Sequence, residues 1–196
     1  MSLVGPSGAG KSTLIRLLIR EEQPSKGRII IAGRDITSLR PRDLPYYRRK
    51  IGVVFQDFKL LPYLTVKENI TFALEVSEAS NEEIESRVPK ILNLVGLSDR
   101  ERVYPDQLSG GEKQRGAVAR ALIHSPKILI ADEPTGNLDP ENTSDVINLF
   151  RKINGAGTCV ILATHNKTVV DSLKQRVIVI KNGEISQDNH KGEYLI

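Results

Sequence analysis

Near the start of the chain, Gly5-Pro6-Ser7-Gly8-Ala9-Gly10-Lys11-Ser12 has the spacing of a phosphate-binding loop, G-x-x-x-x-G-K-S. Consecutive backbone N–H groups in such a loop surround a triphosphate, and the glycines let the main chain close in. A helix beginning near Lys11 adds the positive end of its dipole. Lys11 then reaches the β- and γ-phosphates as a point charge, Ser12 offers its hydroxyl to Mg²⁺, and Thr13 adds a polar contact nearby. A second chemical pair, Asp132-Glu133, follows the apolar run Lys127-Ile128-Leu129-Ile130-Ala131. Such a run suits a parallel strand covered on both faces, and the end of that strand is where open parallel sheets present ligand-facing groups. Asp132 suits a Walker B acid that meets Mg²⁺ directly or through water. Glu133 suits a base or an orienter for attacking water.

These residues need a scaffold, and the pattern supplies one. Leu3-Val4 reads as a strand into the loop, and Leu14, Ile15, Leu17 and Leu18 as a buried helix that stops before Gln23-Pro24. Gly27 to Gly33 and Gly52 to Phe55 read as strands, joined by a basic, solvated loop with a short helix. From Thr65 to Leu97 the period turns helical. Asn81 is the expected N-cap and Gly96 the C′ residue of its second helix, with Pro89 expected to kink or limit it. Strand and helix then alternate again. Asp139-Pro140-Glu141 opens a helix, Thr158 to Ala163 is a strand, and Arg176 to Ile180 with Lys181 to Ile185 forms a hairpin through Asn182-Gly183. The class is α/β, with a helical lobe of roughly 40 residues interrupting it.

Composition is that of an ordinary globular chain: 196 residues, 39% hydrophobic, 27% charged and a net charge of +4, mildly favourable for an anionic ligand. No apolar run approaches the ~18 residues needed to cross a bilayer and no signal peptide precedes the loop, so a cytosolic location is expected. The single cysteine, Cys159, begins an apolar run and is expected to be a buried packing residue. His124 lies at a helix end before Pro126, where a dipole or capping role suffices.

Six motifs together resemble the ABC ATPases. Besides the phosphate loop and Asp132-Glu133, Gln56 resembles the Q-loop glutamine and Leu108-Ser109-Gly110-Gly111-Glu112 the LSGGQ signature. Asn137-Leu138-Asp139 resembles the D-loop, and His165, after Thr164, the H-loop switch histidine. They stand in family order across essentially the whole chain. The resemblance implies a P-loop NTPase fold of the ABC-ATPase type, with a parallel-sheet core formed by residues 1–56 and 125–196 and a helical subdomain near 57–124. It also implies head-to-tail homodimers with ATP between the chains, each signature acting on the partner's nucleotide. Lys11 and the loop amides would hold phosphates, Ser12, Gln56 and Asp132 would organise Mg²⁺, Glu133 would polarise water, and His165 would meet the transferring phosphoryl group. The signature is also an S-x-x-E capping box, so a plain helix start is a second reading compatible with the first. Glu112 stands where the family more often has Gln. The family's leading strand pair and the aromatic A-loop residue that stacks on adenine have no counterpart in this sequence. Tyr46, Tyr47, Tyr63 and Tyr104 lie in other segments, so weak, poorly base-selective binding is expected.

Within the family, Phe55-Gln56-Asp57-Phe58-Lys59-Leu60-Leu61-Pro62 looks like the FtsE-type cell-division ATPases, as more weakly does the tail Asp188 to Tyr194. Asp132 to Asp139 fits that group and also lipoprotein-releasing and macrolide-exporter ATPases, which form the alternative. The FtsE-type resemblance implies an FtsX-like membrane partner docked on Asp57 to Tyr63, possible contacts with other division proteins, and a peripheral site on the cytoplasmic face of the plasma membrane. Phe58, Leu60, Leu61 and Tyr63 fit either that surface or packing inside the lobe. The output would be cell division through control of peptidoglycan hydrolysis outside. No nucleic-acid partner is expected: no heptad run separates Lys11 from Leu108, unlike the ABC proteins of DNA repair, and one motif set is present where translation-associated members carry two.

Overall fold

The computed structural model describes residues 1–190 and Gly192, so part of the Asp188 to Tyr194 tail lies outside the described residues. Six strands form one sheet in the order β4 (Ile51–Val54), β5 (Ile128–Asp132), β6 (Cys159–Thr164), β1 (Ser2–Val4), β7 (Val177–Lys181), β8 (Glu184–Asn189). The first five are parallel, and β8 pairs antiparallel with β7 through the Asn182-Gly183 turn, both turn residues at positive φ.

The pleat assigns the core. On β5, Leu129 and Ala131 face a cluster with helices α3 (Val66–Glu75), α4 (Asn81–Leu94), α5 (Gly110–Leu122) and α6 (Pro140–Gly155). Ile130, between them, faces the opposite cluster, where Leu3 and Ala163 meet Ile15 of α1 (Lys11–Leu18). Full burial of successive residues explains the uninterrupted apolar run. Gly52 is required by this packing, since a β-carbon there would stand 2.5 Å from the Ala121 carbonyl oxygen at the end of α5. Between β4 and β5 the chain is mostly helical, and α7 (Lys167–Leu173) links β6 to β7.

Three expectations change, and of the two effects expected of Pro89 one is absent. The run Gly27 to Gly33 yields only β2 (Ile30–Ile31), because Ala32 and Gly33 take positive φ and turn the chain back as β3 (Arg34–Asp35). The second lobe helix is capped by Ser80, whose Oγ accepts from the Glu83 N–H at 3.2 Å, and Asn81 is already helical. Pro89 does not end α4. The bond its missing N–H forfeits is to Glu85, which is exposed and can use water. Cys159 is exposed as the first residue of β6, ahead of the buried stretch that follows. The end of α4 does use Gly96: its N–H donates to Asn93 O at 3.1 Å and that of Leu97 to Leu92 O at 2.9 Å, a Schellman closure. His124 sits beyond α5, with Nε2 3.1 Å from Ala73 O on α3 and its imidazole pKa lowered by burial, so it joins two helices. The short helix expected before Lys50 is α2 (Leu44–Arg48), anchored where the Tyr47 hydroxyl donates to Leu18 O.

Candidate functional site

The chemical residues gather at the carboxyl edge of the parallel strands, because Val4, Val54, Asp132 and Thr164 end their strands on the same side of the sheet. The loop after β1 passes so close to β7 that a β-carbon on Gly5 would lie 2.3 Å from Ile180 O. Gly10, at φ 105, makes the left-handed turn into α1, and Leu14 N–H donates to its carbonyl at 2.9 Å. Ser7 is exposed and Ala9 buried, and Gly8 to Thr13 line one cleft. The β7–β8 turn braces the loop, Gly183 N–H donating to Ala9 O at 3.1 Å.

Lys11 is buried, its Nζ 2.8 Å from Gly5 O, 3.2 Å from Pro6 O and 3.7 Å from Glu133 Oε1. Ser12 Oγ donates to Asp132 Oδ2 at 2.8 Å. The other oxygen, Asp132 Oδ1, is buried and lacks a hydrogen-bond partner among the described residues. Burial pushes the Asp132 carboxyl above its ordinary range; the Ser12 bond opposes this and the Glu133 charge adds to it. A desolvated carboxylate with an unused oxygen beside a hydroxyl is a hard-donor pair, and it fits Mg²⁺, which needs few protein ligands when phosphates supply the rest.

Glu133 takes φ 44, a left-handed conformation unusual for a residue with a side chain, and its N–H donates to Ala163 O at 2.8 Å. His165 Nδ1 lies 2.8 Å from Glu133 Oε1. Oε2 accepts from Thr164 Oγ1 at 3.1 Å and from His165 N–H at 3.4 Å. The Gln56 side chain is exposed beside this loop, its Nε2 3.5 Å from where a β-carbon on Gly136 would stand. Loop, acids, glutamine and histidine therefore share one edge.

The signature goes elsewhere. Ser109 caps α5 in a reciprocal box: Glu112 N–H donates to Ser109 Oγ at 3.2 Å, and Ser109 N–H to Glu112 Oε2 at 2.8 Å. That second bond, aided by Arg100 at 3.0 Å, holds the Glu112 carboxyl below the usual range. Gly110 is exposed, and a β-carbon on it would meet Leu138 at 3.3 Å. Gly111 is buried, and its β-carbon would fall 1.9 Å from Asn142 Oδ1. Asn137 and Leu138 thus lie against the signature, while Asp139 caps α6 by accepting the Asn142 N–H at 2.9 Å. No signature residue lines the cleft of Gly8 to Thr13.

Asp57 to Tyr63 divides the alternatives left open by the sequence. Phe58 packs on the helical core and Leu60 lies over Gly116, whereas Tyr63 is 89% exposed. Phe58 and Lys59 take φ 60 and 52, and the Arg120 guanidinium donates to their carbonyls at 3.2 and 2.6 Å. Asn69, fully buried, holds Leu61 by both backbone groups at 2.8 and 3.0 Å. Arg120, Asn69 and Thr164 carry no motif, since their partners are distant in sequence or are backbone atoms, and Asn142 is set against the distant Gly111.

Known proteins resemble this chain over most of its length. The family model described as ABC transporter matches residues 1–136. The cell division ATP-binding protein FtsE of Bacillus subtilis is 53% identical over 192 residues, 98% of this chain and 84% of that protein. The methionine import ATP-binding protein MetN of Geobacillus kaustophilus is 47% identical over 194 residues, 98% of this chain and 56% of that protein. Among solved structures, a dimeric ATP-binding cassette in a post-hydrolysis state bound to ADP and Pi superposes with a TM-score of 0.86 at 35% identity, covering 98% of this chain and 85% of that one. The chain belongs to the ABC transporter ATPases and is an ATP-hydrolysing cassette of that family.

Proposed function

We propose that this chain is the ATPase subunit of an FtsEX-like membrane complex, in which ATP turnover on the cytoplasmic face drives a partner that controls peptidoglycan hydrolysis outside. The single observation that carries the ATPase chemistry is the pair of 2.8 Å contacts, Ser12 to Asp132 and Glu133 to His165, at one strand edge. In this reading Lys11 and the amides of Gly5 to Thr13 hold the phosphates. Ser12, Asp132 and Gln56 would hold Mg²⁺, which when bound neutralises phosphate charge and lets the leaving group depart. Glu133 takes a proton from the attacking water as the water oxygen bonds to the γ-phosphorus and the bond to the β–γ bridging oxygen breaks toward ADP. His165, beside Glu133, would meet the transferring phosphoryl group as that bond breaks.

Because the signature lies with the D-loop and away from its own phosphate cleft, the γ-phosphate contacts come from Ser109, Gly110 and Gly111 of the partner subunit in a head-to-tail homodimer. Residues 57–124 act as the lobe that meets the membrane subunit, with Tyr63 the exposed aromatic of the docking segment. The subunit is peripheral; among the described residues no helix is long and apolar enough to cross a membrane. The 53% identity to FtsE favours an FtsX-like partner, and the 47% identity to MetN supports a second reading, a methionine-importer cassette.

Two measurements test this. Glu133→Gln should bind ATP yet lose turnover by about 100-fold or more; parent-like turnover would overturn the assigned chemistry. Co-expression with FtsX-like and methionine-permease membrane subunits should retain the chain at the membrane with the former. Retention by the permease alone would overturn the division assignment.

A further inference from the structure

Thr164 is the last residue of β6 and is fully buried, yet its hydroxyl is used twice. It accepts the Asn166 N–H at 3.1 Å and lies 3.1 Å from Glu133 Oε2. The direction of the second bond follows from the first. An amide can only donate and an ionised carboxylate can only accept, so the single hydroxyl proton points at Glu133. Oε2 is further engaged by the His165 N–H at 3.4 Å. The other oxygen, Oε1, faces the functional side, 3.7 Å from the Lys11 ammonium and 2.8 Å from the His165 ring.

A terminal carboxylate turns freely about its last bond unless something pins its plane. The backbone of Glu133 is fixed by its bond to Ala163 O, but that bond leaves the side-chain torsion open. We propose that Thr164 is a positioning residue: its hydroxyl locks the plane of the Glu133 carboxylate, keeping one oxygen on β6 and presenting the other toward the phosphate loop to take the proton of the attacking water. The inference rests on the reading of Glu133 as that base. The ordinary alternative is that Thr164 merely anchors the turn into α7, where Asn166 caps the helix by accepting the Val169 N–H at 3.2 Å.

The test uses the full chain with Mg·ATP. Thr164→Val keeps the shape and deletes the hydroxyl; kcat should fall roughly 10- to 100-fold, the scale of a displaced catalytic group, with KM for ATP within about 3-fold of the parent. Thr164→Ser, which restores the hydroxyl, should recover most of the loss. In a Glu133→Gln background, adding Thr164→Val should leave ATP affinity and residual turnover as they were, because the carboxylate to be positioned is gone. A parallel rise in KM, equal losses in the Val and Ser variants, or a further drop in the Glu133→Gln background would overturn the proposal in favour of the anchor. Should the Val variant prove too unstable to purify, Thr164→Ala carries the same comparison with Ser. Parent-like turnover by Glu133→Gln alone would instead remove the base reading itself, a result separable from failure of the Thr164 variants.

Discussion

Gly111→Ala separates a packing requirement from a catalytic one. The new β-carbon would stand 1.9 Å from Asn142 Oδ1, 2.5 Å from its Cγ and 3.1 Å from its Cβ. The first two distances are far inside van der Waals contact, so the carboxamide must leave, and with it the bond from Asn142 Nδ2 to Asp139 Oδ2 at 2.5 Å. Overpacking of this kind costs ~1–3 kcal/mol. Replacing Gly by Ala near the start of α5 returns at most ~1 kcal/mol of helix propensity. The expected net loss is about 1–2 kcal/mol, a fall in Tm of roughly 2–8 °C for a chain of this size. In an Asn142→Ala background only the 3.1 Å contact remains, which small shifts absorb. There Gly111→Ala should be neutral or slightly stabilising, giving a coupling of about 1–2 kcal/mol in the double-mutant cycle. Thermal unfolding without nucleotide reads this directly and avoids the ambiguity of an activity loss in the signature. Equal destabilisation in both backgrounds would refute the idea that Asn142 is what requires glycine at 111.

Two further outcomes follow from the site. Burial raises the Asp132 carboxyl above its ordinary 3.8, so the folded protein holds that proton more tightly than the unfolded chain. The linked stability is complete below about 3.8 and lost as pH rises through the raised value, leaving the ionised carboxylate as a cost at neutral pH. Asp132→Asn should therefore raise Tm near pH 7 without nucleotide, with the gain shrinking toward pH 4, and should abolish the Tm increase caused by Mg·ATP; a lower Tm at pH 7 would contradict this. Arg120→Ala leaves the left-handed Phe58–Lys59 segment without the guanidinium that holds its carbonyls and should cost ~2–3 kcal/mol. Arg120→Lys should recover about half, measured as the denaturant midpoint at constant m.

The legible parts of this chain are those whose physics is local. The phosphate loop, the Ser109-x-x-Glu112 box, the Asp139-Pro140 helix start and the Asn182-Gly183 turn each depend on residues within a few positions, and each forms where the pattern puts it. Sequence pattern and structure part where two local rules compete. Ser80 and Asn81 are both good caps, and the choice fell to the residue that keeps extended backbone, φ −70 and ψ 156, three positions before Glu83. Gly27 to Gly33 has strand composition throughout, but Ala32-Gly33 has the turn conformation, and the strand ends at Ile31.

What stayed hidden is what supports the motif residues, and the reason lies in bond geometry. Thr164 meets Glu133 across 31 positions, and Arg120 meets Phe58 across 62. Only the sheet register, Asp132 opposite Ala163 and Val4 opposite Thr164, brings the first pair together. Arg120 adds a second obstacle, since it binds backbone carbonyls, so no residue type at 58 or 59 announces the contact. A loop motif names the groups that touch a phosphate because those groups share one turn. The residues that hold a carboxylate or a strained segment in place are selected by neighbouring strands and helices, and their identity becomes readable only once the register is known. For this reason the conservative pair Thr164→Val and Thr164→Ser is a sharper probe of the fold's contribution to chemistry than any substitution within Gly5 to Ser12, where loss of binding would mask loss of positioning.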